Sequence, residues 1–119
     1  MKIKSYKELI AYKKSYELVK LVYGLTSKFP KEELYSLASQ IRRCAISIPS
    51  NIAEGYMKGS KEYIQFLKIA LGSAAELETQ LQLSFDLGYC NNSVFEKIYN
   101  LNQEVMKLLS TYIFKLTNR

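Results

Sequence analysis

Histidine is absent from this sequence, which removes the commonest metal ligand and the side chain best suited to proton transfer near neutral pH. Most acid–base and metal-dependent enzyme classes thereby lose their first candidate residue. Long apolar runs are also missing, and the opening stretch "MKIKSYKELI" lacks the apolar core that a secretion signal places after its basic start. No membrane span is expected. Only Cys44 and Cys90 carry thiols, and without a secretory signal the expectation is two reduced, buried cysteines in a cytoplasmic protein. There is no phosphate-binding glycine loop and no cluster of metal-ligating residues, so neither a cofactor nor a metal is expected. Strand-like alternation, internal repeats and low-complexity tracts are likewise missing.

What is present fits one soluble globular domain over residues 1–119: 48% hydrophobic and 24% charged residues suffice for a single core without staples. The formal charge of +6 is unevenly spread. Residues 1 to 31 hold eight Lys and two Glu, 8 − 2 = +6, and the rest of the chain sums to zero. A basic segment of this kind either attracts nucleic acid or another acidic surface, or is simply a solvated lysine face.

Four helical stretches follow from the apolar period. Between Tyr6 and Thr26 there is no proline, and Leu9, Tyr12, Tyr16, Val19 and Tyr23 recur at the three- and four-residue steps of one helix face. Pro30, followed by Glu32 and Glu33, reads as a new helix start, with the acids against the positive end of the dipole. That second helix runs toward Tyr56 with Leu34, Leu37, Ala38, Ile41, Ala45, Ile48 and Ile52 inward. Ser60 is the expected N-cap of a third helix, whose seam is Tyr63, Leu67, Ala70, Ala74, Leu77, Leu81 and Ser84, and Gly88 ends it in the left-handed geometry of a C-cap. Ser93 and Glu96 have capping-box spacing before a fourth helix with Val94, Ile98, Leu101, Val105, Leu108 and Tyr112 on one seam. Helices of about 20 to 28 residues make rods of roughly 30 to 40 Å, and their short connections force antiparallel neighbours. The expected fold is all-α, an antiparallel up-down-up-down four-helix bundle with helix two bent at Pro49.

Pro49 stands inside "RRCAISIPSNIAEGY", a stretch whose apolar period continues on both sides of it. Its missing N–H and its ring press on the Ala45 carbonyl, which costs on the order of 3 kcal/mol in a regular helix. A bend, with Ser47, Ser50, Asn51 or water satisfying the freed carbonyl, offsets that cost. Arg43, Ser47, Ser50 and Glu54 follow at intervals of four, three and four, with Asn51 alongside, as a polar stripe of short side chains. Such residues serve better against a neighbouring backbone than against solvent. The stripe is thus a subunit interface, a ligand site, or local repair of the proline defect. In helix three, Gly72, Ser73, Ala74 and Ala75 give up helix propensity and permit close packing.

The two stretches "SQIRRCAISIPSNIAEGY" and "EYIQFLKIALGSAAELETQLQLSFDLGY" resemble the four-helix-bundle proteins encoded within intervening sequences of bacterial 23S ribosomal RNA genes. Ser47 to Gly55 and Gly72 to Leu81 are the most telling parts, and the likeness spans essentially the whole chain. The resemblance implies a small bacterial bundle that assembles as a ring-like homopentamer. It also implies a relation to the accessory proteins of diversity-generating retroelements, which bind nucleic acid and a reverse transcriptase. It implies no reaction. Similar proteins often carry Gly-Arg after the "AEG", whereas here Met57-Lys58 follows, and lysine lacks the planar fork of arginine.

Three functions compete. The first is a non-catalytic homo-oligomer that binds RNA or DNA through basic surface repeated around the ring, about +30 for five subunits. Its candidate contacts are Lys7, Lys13, Lys14 and Lys20 on helix one, with Arg42, Arg43 and Lys58. Tyr6, Tyr12, Tyr16 and Tyr23 are able to stack on bases, but their spacing favours core or interface packing. The second is a protein-binding adaptor or scaffold with no direct nucleic-acid role. The third is an enzyme using Glu54, Glu62 or Glu76 with Ser47 or Ser50, and it ranks last because no partner stands at a diagnostic spacing.

Overall fold

The computed structural model describes residues 5–118. Lys2 and Lys4, counted in the basic N-terminal segment, lie outside the described residues. Four helices carry the chain: α1 (Ile10–Thr26), α2 (Leu37–Lys58), α3 (Ser60–Asp86) and α4 (Asn92–Thr117), with short 3-10 turns at Tyr6–Glu8 and Lys31–Glu33. Consecutive helices pack on one another and α4 closes against α1, so the helices form an antiparallel ring of four around one core. The bundle is elongated, 45 × 24 × 20 Å, as expected when helices of this length lie side by side. No described helix is long and apolar enough to cross a membrane.

Each helix is there because one face of it is apolar. The seven seam positions of α3 read from the sequence, from Tyr63 to Ser84, are its buried residues. In α2 the buried set includes Ala38, Ile41, Ala45, Ile48 and Ile52, while Leu34 precedes the helix and is exposed. The inward face of α1 differs from the expected aromatic one. Ala11, Ser15, Leu18, Val22, Leu25 and Thr26 are buried, and Tyr16 and Tyr23 stand exposed beside them. Leu18 and Val22 keep the same helical period one position away, and aliphatic side chains fill the narrow bundle axis with less volume than tyrosines. In α4 the buried face is Ile98, Asn102, Val105 and Leu109, and Val94 is exposed.

The helix ends correct four expectations. Helix two starts at Leu37, beyond a 3-10 turn at Lys31–Glu33, and not at Pro30. Helix one starts at Ile10 after an extended Leu9 rather than at Tyr6. Helix three begins at Ser60 itself behind Gly59, whose positive φ of 107° suits a residue without Cβ, so Ser60 is not the N-cap. The cap of α4 is Asn91, whose side-chain oxygen accepts from the Val94 amide at 2.8 Å, and no Ser93–Glu96 box forms. Gly88 does adopt the left-handed conformation, at φ 80°, and the Tyr89 amide donates back to the Ser84 carbonyl in the 6→1 pattern of a helix stop. At the same end of the bundle Glu33 accepts from the Leu37 amide and from the Tyr89 hydroxyl, tying the α1–α2 connection to the α3–α4 connection.

Pro49 lies within α2 and does not end it. Its ring is buried, which returns apolar stabilisation against the lost hydrogen bond. The Asn51 amide donates to the Ser47 carbonyl at 2.7 Å and to the Ser47 hydroxyl at 2.9 Å. The expected side-chain donor to the Ala45 carbonyl is not found among the described residues: Asn51 bonds Ser47 instead, whose carbonyl the proline does not free.

Candidate nucleic-acid interface

The polar stripe on α2 divides into two parts. Ser47 and Asn51 face α3, where the Ser47 and Ser73 hydroxyls are 2.8 Å apart and either one donates. Next to them the Cys44 thiol is pushed up to about 11, first by burial and then by the Glu76 carboxylate beside it. It is a structural thiol rather than a nucleophile, because the thiolate is the reactive form. Arg43 and Ser50 are exposed, and no side-chain partner for either occurs among the described residues. Among the described residues Glu54 reaches only Lys58, at 3.9 Å along the same helix. No ion pair joins Arg43 to Glu76 among the described residues.

The two family-like stretches thus meet at the α2–α3 contact. Gly55 makes that contact close: a Cβ there would stand 2.5 Å from the Phe66 Cβ. Gly72 was expected to do the same from α3, but nothing lies within 4 Å of the place its Cβ would occupy. Its face is open in the subunit. Ile69 and Leu83, one and three turns away on the same side of α3, are exposed too.

The cations of α1 have unequal freedom. Lys14 pairs with Glu104 of α4 at 3.1 Å, and Lys20 pairs with Glu17 at 3.0 Å. Exposed pairs of this kind contribute about 0–1 kcal/mol, so a phosphate can displace either carboxylate. Lys7 and Lys13 are exposed without an acidic partner among the described residues, and Lys28 and Lys31 share that state. Arg42 is half-buried: its Nε donates to the buried Thr26 hydroxyl at 2.7 Å and its guanidinium lies 4.7 Å from the Tyr23 ring centre. Arg42 therefore has a structural anchor, with the rest of its fork turned toward the surface.

Between α1 and α2 runs a shallow groove that the sequence did not disclose. Its upper part is walled by Tyr12, Tyr16, Val19 and Lys20 of α1 against Ile46, Pro49 and Ser50 of α2. Ile46 continues into a lower part walled by Tyr23, Leu34, Tyr35, Arg42 and Arg43. No carboxylate lines either part. The aromatic spacing in helix one was the available signal, but it pointed to core or interface packing ahead of base stacking.

At the far end of the bundle Tyr16, Tyr12, Tyr6, Tyr56, Tyr63 and Tyr112 succeed one another ring to ring, with centroids 5.1 to 6.3 Å apart. This run joins α1, α2, α3 and α4, and burial pushes the Tyr63 phenol far above its ordinary range. It is packing that closes the end of the core. As for the acids weighed for catalysis, no hydrogen bond links Glu54, Glu62 or Glu76 to Ser47 or Ser50 among the described residues.

Comparison with known proteins gives two findings. A family model described as "23S rRNA-intervening sequence protein" matches residues 7–111. A crystal structure of a protein of unknown function from the S23 ribosomal protein family of Bacteroides thetaiotaomicron superposes with a TM-score of 0.80 at 30% identity, covering 87% of this chain and 95% of that one. No curated protein matches.

Proposed function

The chain belongs to the 23S rRNA-intervening sequence protein family, and from that premise we propose that it is a non-catalytic homo-oligomer, a pentamer, that binds the backbone of nucleic acid. The observation that carries the reading is the set of unpaired cations at the start of the chain. Lys7, Lys13, Lys28 and Lys31 are exposed and free of acidic partners among the described residues. Each phosphate neutralised by such a side chain releases counterions, so affinity grows with the number engaged and falls steeply with salt. Repetition of the same surface in a ring multiplies the contacts available to one strand. The open α3 face, where a Cβ on Gly72 would meet nothing within 4 Å and Ile69 and Leu83 keep 43% and 45% of their surface exposed, supports self-association, since small and apolar positions gain most from a neighbouring helix.

Light scattering tests the first half of the reading, and a mass of one 13.7 kDa subunit at micromolar concentration would contradict it. Gel retardation of single-stranded and duplex oligonucleotides tests the second. Reversing Lys7 and Lys13 to Glu should weaken both forms of binding while leaving helicity and mass unchanged.

A second reading, a protein-binding adaptor, is favoured by one observation. A mainly apolar groove between the first turn of α1 and the last turns of α4, with Leu9, Ile10, Leu108 and Tyr112 in its walls, carries Glu8, Glu104, Lys107 and Lys115 at its rim. That mixture of signs suits a polypeptide better than a polyanion. Capture of a partner that survives nuclease and high salt would favour this reading.

A further inference from the structure

We infer that the α1–α2 groove is a binding site for single-stranded polynucleotide, with bases stacked on Tyr16, Tyr23 and Tyr35 and phosphates held by Lys20, Arg42 and Arg43. The inference rests on the nucleic-acid reading above and specifies its site and substrate form. Two facts lead to it. Tyr35 is 92% exposed, Tyr16 54% and Tyr23 41%, so these rings are not consumed by the core. Tyr16 meets Tyr12 and Tyr23 lies beside Arg42, yet each keeps about half of its surface in water, and an exposed π-face suits a base, which is flat and apolar on both sides. The same groove holds three cations and no carboxylate, so its charge complements a polyanion along its whole length.

The geometry also selects the form of the strand. From Ser39 to Ala53 the α2 wall extends about 20 Å at 1.5 Å per residue, room for several nucleotides laid along it. The walls are two adjacent helices with rings projecting between them, and a duplex keeps its base faces stacked internally, out of reach of those rings. Only an unpaired strand presents them. Arg42 is held in place by the Thr26 hydroxyl and the Tyr23 ring, so the cation beside one stacking surface is fixed before ligand arrives. Lys20 exchanges its contact with Glu17, an exposed pair of little stability, for phosphate. A second copy of this chain is the less suitable occupant. Each copy carries a formal charge of +6 and would bring net positive charge to a groove that already holds Lys20, Arg42 and Arg43.

The test uses the full-length assembled protein with a labelled 12-nucleotide single strand, as RNA and as DNA, and the matching duplex, read by fluorescence anisotropy across a salt series. Wild type should prefer both single strands to the duplex, because stacking and phosphate contacts do not read the 2′-hydroxyl. Tyr35→Ala removes no packing and should weaken single-strand binding about ten-fold without altering the salt slope, since no phosphate contact is lost. Arg43→Gln should instead flatten the slope by about 0.7, the value for one phosphate on a single strand. Equal binding of strand and duplex, with Tyr35→Ala as tight as wild type, would overturn the groove assignment and leave general nucleic-acid binding standing. A change in oligomer mass with either variant would make the groove a subunit interface and overturn it as well. Absence of all binding at low salt would remove both readings together.

Discussion

Gly55→Ala is the most direct perturbation of the α2–α3 contact. A Cβ at this position would stand 2.5 Å from the Phe66 Cβ and 3.2 Å from the Tyr63 Cδ1. Carbon atoms rest about 3.5 to 4.0 Å apart, so the helices must separate by about 1 Å. The obstructing atom is the first of its side chain and cannot swing away as a chain end does. Overpacking of this kind costs about 1–3 kcal/mol, against about 1 kcal/mol gained when alanine replaces glycine in a helix. The net expectation is a loss of about 1 kcal/mol. Gly24→Ala in α1 is the control, because its Cβ meets nothing within 4 Å and only the propensity gain of about 1 kcal/mol remains. Urea unfolding followed by circular dichroism, at one fixed protein concentration, should therefore move the two midpoints in opposite directions. A Gly55→Ala midpoint that rises with that of Gly24→Ala would refute the close approach of α2 and α3.

Other perturbations have worked signs. Pro49→Ala restores an amide to the Ala45 carbonyl, recovering about 3 kcal/mol, and loses about 2 kcal/mol of buried ring, so thermal unfolding should shift up by the equivalent of about 1 kcal/mol. Asn102 is fully buried in α4, donates to the Ala74 carbonyl at 2.9 Å and leaves its own oxygen without a partner; Asn102→Leu should be neutral or stabilising in the same assay, and a large loss would contradict this. Cys44 and Tyr63 are both raised by burial, so the folded chain keeps protons that the unfolded chain releases above about pH 9. Stability should fall as pH rises from 9 toward 11, and the Cys44 thiol should react with a disulfide reagent at pH 8 far more slowly than free cysteine.

The sequence disclosed most where one residue type dominates one face. The α3 seam was legible throughout because leucine and alanine alternate there with polar residues at clean three- and four-residue steps. On α1 two stripes of the same period lie one position apart, tyrosine on one and Leu18 with Val22 on the other, and periodicity alone does not rank them. The tyrosines are larger and carry more apolar surface, yet leucine and valine are the more often fully buried, and the axis of a narrow bundle favours the aliphatic stripe. Asn102 escaped notice because a polar residue in a core seam reads as a surface position. The candidate site was legible as charge but not as geometry. Lys13 and Lys14 are neighbours in sequence, but only the position of α4 decides that Lys14 pairs with Glu104 while Lys13 stays free. The contact of Ser47 with Ser73 likewise depends on helix rotation, which a single-chain pattern does not encode.

The central claim, that the exposed cations of this bundle hold a polyanion, is tested most directly by the affinity of the wild-type protein for a single-stranded oligonucleotide between about 50 and 200 mM salt. Log affinity should fall in a straight line against log salt, with a slope of about −0.7 for every phosphate engaged and several engaged at once. A flat line, or no binding at the lowest salt, would contradict it.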